Sequence, residues 1–160
     1  YEKYREEIDS AIRGVLESGN LILGAGDYVP KFEKEFADFV GAKHAIMCGA
    51  GTQALYLAYR ALGVGPGDEV ITTSHTFIAT IDQIVALGAT PILVDIDQAT
   101  GLINPGEIEA AITSRTKAIV PVHLEGKVCD MKRINEIAEK YNLHVIEDSC
   151  QAIGATLYEK

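Results

Sequence analysis

A membrane-spanning helix needs an apolar run of ~18 residues or more, and no segment of this sequence approaches that length. The opening residues, Tyr1 to Glu7, lack a basic stretch followed by an apolar core, so no secretory signal is expected. There is no initiating methionine, and a trimmed N-terminus is expected. Cysteine is scarce: Cys48, Cys129 and Cys150 are odd in number and widely spaced, which fits neither a disulfide framework nor a zinc ligand set. All three are expected to be small packing residues in a reducing cytoplasm. Clusters of Lys and Arg are missing too. With 14 basic against 23 acidic residues the net charge is −9, the wrong sign for a phosphate backbone. A nucleic-acid partner is excluded, and a small-molecule ligand is expected instead.

What remains is an ordinary soluble composition, 48% hydrophobic and 23% charged over 160 residues, enough chain for one core without staples. An opening helix is predicted over Tyr1 to Ser18, a glycine-rich loop over Gly19 to Gly26, and a second amphipathic helix over Tyr28 to Val40. The stripe Phe32, Phe36 and Phe39 falls at helical spacing and reads as core. From Ala42 onward short apolar runs alternate with helical ones. Strands are predicted at His44–Cys48, Glu69–Thr73, Pro91–Asp95, Ala118–Val122 and His144–Glu147. Helices are predicted at Thr52–Leu62, Ile78–Leu87, Pro105–Ile112 and Met131–Tyr141. This alternation implies an α/β fold with a mostly parallel sheet flanked by helices. Ligands in such sheets bind beyond the carboxyl ends of the strands.

Three of those ends carry chemistry. Cys48-Gly-Ala-Gly-Thr-Gln-Ala-Leu55 opens a helix with glycines, so the exposed N–H groups at the helix start can cradle a phosphate, with the Thr52 hydroxyl as an extra donor. Alternatively the segment is a plain turn with Thr52 as helix N-cap. Its Gly-x-Gly-x-x-Ala spacing also admits a dinucleotide site, but that site wants an acid after the next strand, where Thr72-Thr-Ser-His75 stands. After that strand Phe77 can stack on a flat ring or lie under the following helix. After the last strand Asp148 can pair with the ring nitrogen of pyridoxal phosphate, bind a metal or cap a loop, and Gln151 can bond a cofactor oxygen or the backbone. A phosphate cradle, an aromatic and an acid together suit a small phosphorylated aromatic ring.

Six segments in this order resemble the DegT/DnrJ/EryC1/StrS sugar aminotransferases of the fold-type-I pyridoxal-phosphate superfamily. They are Leu23-Gly-Ala-Gly-Asp-Tyr-Val-Pro-Lys-Phe-Glu33, Gly51-Thr-Gln-Ala-Leu55, Gly65-Pro-Gly-Asp-Glu-Val-Ile71, His75-Thr-Phe-Ile-Ala79, Pro121-Val-His-Leu124 and Glu147-Asp-Ser-Cys-Gln151. The resemblance implies that Gly51, Thr52 and Gln53 meet the phosphate of pyridoxal 5'-phosphate and that Phe77 stacks on its ring. It also implies that Asp148 pairs with the ring nitrogen and that Gln151 lies near the phenolic oxygen. It further implies a homodimer that moves an amino group from glutamate or glutamine to a nucleotide-linked keto-sugar. Ala50, Glu125 and the pair Ser149-Cys150 depart from the family's usual residues.

The family's Schiff-base lysine would fall beyond Lys160. The chain is therefore expected to be the N-terminal part of the large domain, residues 1–160, without the lysine or the small C-terminal domain. A complete protein is expected to carry a seven-stranded sheet. Two other readings stand beside the aminotransferase: a sugar dehydratase using the same cradle, and a non-catalytic fragment that binds the cofactor or a partner.

Overall fold

The computed structural model describes residues 2–22 and 26–157. Leu23 to Ala25, which belong to the expected glycine-rich loop and to the first family segment, lie outside the described residues, as do Tyr1 and residues 158–160. The chain divides into two compact units, Tyr1–Met47 and Cys48–Lys160.

In the first unit a single 3₁₀ turn, Glu2–Tyr4, leads into α1, Arg5–Ser18, and α2 spans Tyr28–Val40. The second helix matches its predicted span; the first ends at Ser18 as predicted but begins as an α-helix only at Arg5, after the 3₁₀ turn. The phenylalanine stripe does not match its predicted role. Phe32 and Phe36 stack at 5.6 Å between ring centroids, but Phe32 and Phe39 are exposed, and Ala37 is the one buried residue of α2. Helical spacing shows which residues share a face, while burial depends on what that face packs against. The predicted strand at His44–Cys48 is also absent: the segment is irregular, and Ile46 is 81% exposed. A short apolar run becomes a strand only when another strand pairs with it.

The second unit is an α/β layer. It runs α3 (Gly51–Ala61), β1 (Glu69–Thr73), α4 (Ala79–Ala86), β2 (Thr90–Val94), α5 (Pro105–Ala111), β3 (Thr116–Ile119), α6 (Met131–Tyr141) and β4 (His144–Val145). Every strand pairing is parallel, in the order β2-β1-β3-β4. This is the expected mostly parallel sheet flanked by helices, with four strands among the described residues where five were predicted. All five residues of β1 are buried, as a strand covered on both faces requires.

Alternation along the strands builds two cores. Val70, Ala118 and Val120 point to one side and pack with Leu55, Tyr59 and Ile84 of α3 and α4. Ile71 and Ile119 point to the other and pack with Ile108, Ile134 and Ile137 of α5 and α6. Local capping agrees with the layout. Asn104 accepts the Gly106 N–H at the start of α5, and Asp130 accepts the Arg133 N–H at 3.1 Å at the start of α6.

The chain steps from β1 outward to β2, then returns past β1 to β3 and continues outward to β4. The winding therefore reverses between β1 and β3. A crevice opens beyond the carboxyl ends of strands at such a reversal.

Candidate cofactor site

A cavity of about 250 Å³ lies there, lined by residues that include Gly51, Thr52, Phe77, Asp148, Cys150 and Gln151. Five of the six expected site residues are thus together. The sixth, Gln53, is not in the lining. Its Oε1 accepts the Gly49 N–H at 3.0 Å, so its side chain shapes the turn ahead of α3. Side chains at its two glycines would meet close neighbours. A Cβ on Gly49 would come within 2.7 Å of Gln53 Oε1, and one on Gly51 within 2.9 Å of Cys150 Sγ.

Ala50 holds the cap position of α3 and makes no side-chain bond, which corrects the alternative of Thr52 as N-cap. Thr52 is the second helical residue. The first N–H groups of a helix have no acceptor within it, and its positive dipole end faces them outward. The start of α3 is therefore an anion-seeking edge of the cavity. Because irregular chain precedes the turn, the strand–turn–helix context of a dinucleotide fingerprint is missing.

Phe77 follows β1 and is 67% exposed, so it is not core under α4. His75, in the same loop, is bonded through Nδ1 to the Gly101 carbonyl at 2.9 Å. Asp148 is only 6% exposed. Its backbone extends the β3–β4 pairing by one parallel rung with Val122: the Asp148 N–H donates to Pro121 O at 2.9 Å and the His123 N–H donates to Asp148 O at 3.0 Å. Its Oδ2 accepts from Thr80 Oγ1 at 2.7 Å and its Oδ1 from the Cys150 N–H at 3.3 Å. Gln151 Oε1 accepts the Glu125 N–H at 2.9 Å, which leaves the amide NH₂ as a donor. Glu125 itself holds a positive φ of 56° and pairs with Lys127 at 3.1 Å.

Behind the Val122–Asp148 rung lies a buried group that the residue patterns did not single out. His123 Nδ1 accepts the Cys129 N–H at 3.2 Å, and a backbone N–H can only donate, so the other ring nitrogen, Nε2, donates to Glu147 at 2.8 Å. The Cys129 thiol bonds Val122 O at 3.2 Å, and burial, then the nearby Glu147 charge, pushes it up to about 11. Cys129 is the buried packing residue expected, but Cys48 is half-buried and Cys150 exposed. Burial and the adjoining Asp148 push the Cys150 thiol up to about 11 as well. Thr76 and Thr80 were also missed. Their four-residue spacing, which puts two hydroxyls on one side of a helix start, was the available signal. Among the described residues no group of three His, Cys, Asp or Glu side chains is arranged to hold a metal ion.

The family model of the DegT/DnrJ/EryC1/StrS aminotransferases matches residues 2–160. The chain belongs to this family. Among its DegT/DnrJ/EryC1/StrS relatives is the pleiotropic regulatory protein of Geobacillus stearothermophilus. It is 51% identical over 155 residues, which are 97% of this chain and 41% of that protein. The dTDP-3-amino-3,6-dideoxy-alpha-D-galactopyranose transaminase of Aneurinibacillus thermoaerophilus is 54% identical over 96% of this chain and 42% of its own length. The crystal structure of NtdA from Bacillus subtilis with bound cofactor PMP superposes with a TM-score of 0.93. It is 42% identical and covers 98% of this chain and 35% of that one. The chain thus spans about two-fifths of the length of the curated relatives it matches.

Proposed function

We propose that the protein of which this chain forms part is a pyridoxal-phosphate-dependent aminotransferase. Its substrates are an amine donor, glutamate or glutamine, and a nucleotide-linked keto-sugar. The observation that carries the reading is the convergence in one crevice of a bare helix N-terminus, an exposed phenylalanine and a buried carboxylate. These fit a phosphorylated aromatic ring with a basic nitrogen: Gly51 has no Cβ where one would crowd Cys150, and the buried carboxylate lines the cavity, where it can pair with a protonated ring nitrogen.

In this reading the N–H groups at the start of α3, with the Thr52 hydroxyl, hold the phosphate. Gln53 contributes through its backbone while its side chain fixes the turn. Phe77 stacks on the ring, and the Gln151 amide donates to the phenolic oxygen. Asp148 holds a proton at the ring nitrogen. When bound, the cofactor supplies an electron sink for the carbon that exchanges its amine. We read residues 1–160 as the N-terminal part of the cofactor-binding large domain of a cytoplasmic homodimer. The fraction of its relatives' length that the chain spans supports the first part, and its odd, scattered cysteines support the compartment.

Incubation of the full-length protein with pyridoxal phosphate, followed by borohydride, tests the reading. A reduced adduct on a single lysine is expected, together with amine transfer from glutamate to a nucleotide-linked keto-sugar. Asp148→Asn should lower kcat by ~100-fold or more, the scale of losing a preorganised charge at the reacting centre. Protein that takes up no cofactor would sink it.

A further inference from the structure

Asp148 is backed by a chain of hydroxyls whose direction can be worked out. Thr80 is fully buried, and its Oγ1 lies 2.7 Å from Asp148 Oδ2 and 2.9 Å from Thr76 Oγ1. A hydroxyl has one hydrogen, and an ionised carboxylate can only accept. Thr80 therefore spends its hydrogen on Asp148, and Thr76 donates into the Thr80 oxygen. The order is Thr76 to Thr80 to Asp148, which leaves the lone pairs of Thr76 at the cavity wall.

The backbone of Thr80 is also tied. Its carbonyl accepts from the hydroxyl of Tyr59, a fully buried side chain of α3. Burial, then the Asp148 charge, pushes that hydroxyl's ionisation upward, so it remains a donor. The two Asp148 oxygens end up unequal. Oδ2 has a short bond from a rigid partner, whereas Oδ1 has the longer 3.3 Å contact from the Cys150 N–H, a weaker bond at that distance.

We propose that Thr80 is a positioning residue. By donating a short hydrogen bond to Oδ2 and fixing the plane of the carboxylate, it favours Oδ1, whose own bond is longer, as the oxygen that meets the basic ring nitrogen of the ligand. The identity of that ligand rests on the aminotransferase reading above. The hydrogen bond does not.

Two variants of the full-length protein separate the hydroxyl from the packing around it. Thr80→Val keeps the shape without the donor, and Thr80→Ser keeps the donor without the methyl group. Thr80→Val should weaken pyridoxal phosphate binding by ~10-fold, the scale of one charge-assisted hydrogen bond, and shift the absorption spectrum of the bound cofactor. It should lower kcat by ~10-fold or more while the KM for the amine donor stays near that of the parent, the mark of an interaction made at the reacting centre. Thr80→Ser should restore affinity and spectrum. A Thr80→Val protein with parental affinity, spectrum and kcat would overturn the proposal, and so would a Thr80→Ser protein as impaired as Thr80→Val. A cofactor-free arm distinguishes this failure from that of the functional reading. In a double-mutant cycle of Thr80→Val with Asp148→Ala, followed by urea unfolding, the two effects should be non-additive. Additive effects would overturn the pairing whatever the protein binds. Parental protein that takes up no cofactor would instead remove the ligand, and with it the role assigned to Oδ1.

Discussion

At Gly51 a hydrogen atom in place of a methyl group lets the start of α3 lie close against the Cys150 side chain. A Cβ there would stand 2.9 Å from Cys150 Sγ, closer than packed atoms allow. Gly51→Ala should therefore cost about 1–3 kcal/mol of stability, as overpacking does, and weaken cofactor uptake. Adding Cys150→Ala removes the opposing sulfur and should recover most of both losses, as read by urea unfolding and by titration with pyridoxal phosphate. The same thiol gives a second expectation. Cys150 is exposed, yet its thiol is pushed up to about 11 by burial and by Asp148. Because the thiolate is the nucleophile, iodoacetamide at pH 8 should label Cys150 in cofactor-free protein more slowly than it labels a small-molecule thiol. A rate equal to that of the free thiol would contradict the assignment.

Among the elements, the start of β1 is held by a charged tie. Glu69 is buried and bonded by the Thr113 hydroxyl and by Arg115, and these bonds, the hydroxyl first, hold its carboxyl below the usual range. A depressed carboxylate contributes stability that is complete above its unfolded pKa and is lost as the pH falls through its folded pKa. Glu69→Gln should therefore lower the urea midpoint most at neutral pH, and the gap from the parent should close as the pH drops below the ordinary carboxylate range. A gap that widened on acidification would reverse the sign. At the other end of the layer, Asp130→Ala removes the α6 cap and should cost about 1 kcal/mol, measured the same way.

These elements also show where sequence patterns inform and where they stop. The spans of α2 and α6 and the position of β1 were legible because caps, helical spacing and an unbroken apolar run are local signals. The strand expected at His44–Cys48 was not, since pairing is a property of two segments and an apolar run describes one. The Phe32, Phe36 and Phe39 stripe failed for a related reason: its period is helical whether or not anything covers it. At the site, Gly51, Thr52, Phe77, Asp148 and Gln151 were legible because each follows an element boundary and offers a recognisable chemistry. Thr80 and His123 act through partners distant in the chain, Asp148 and Glu147 respectively; the spacing of Thr76 and Thr80 pairs two hydroxyls without showing what they meet, and nothing local marks His123.

Over the whole molecule, β2 and β4 are the outer strands of the described sheet, and unpaired outer strands invite association. Residues 1–160 produced alone should self-associate at micromolar concentration, and light scattering showing a stable monomer would count against reading them as part of a larger domain. No helix among the described residues is long and apolar enough to cross a membrane.

The parallel rung between Val122 and Asp148 sets when the site comes into existence. Parallel pairing joins stretches far apart in the chain, and such closures are slow and late. The start of α3 and the Phe77 loop precede Asp148 in the chain, and the crevice lacks its carboxylate until β4 has paired with β3. A ligand that needs the finished crevice is therefore expected to bind after the main folding barrier. Such a ligand is expected to slow reopening more than it speeds closure, so that occupancy should lengthen the life of each folded copy more than it shortens the time taken to make it.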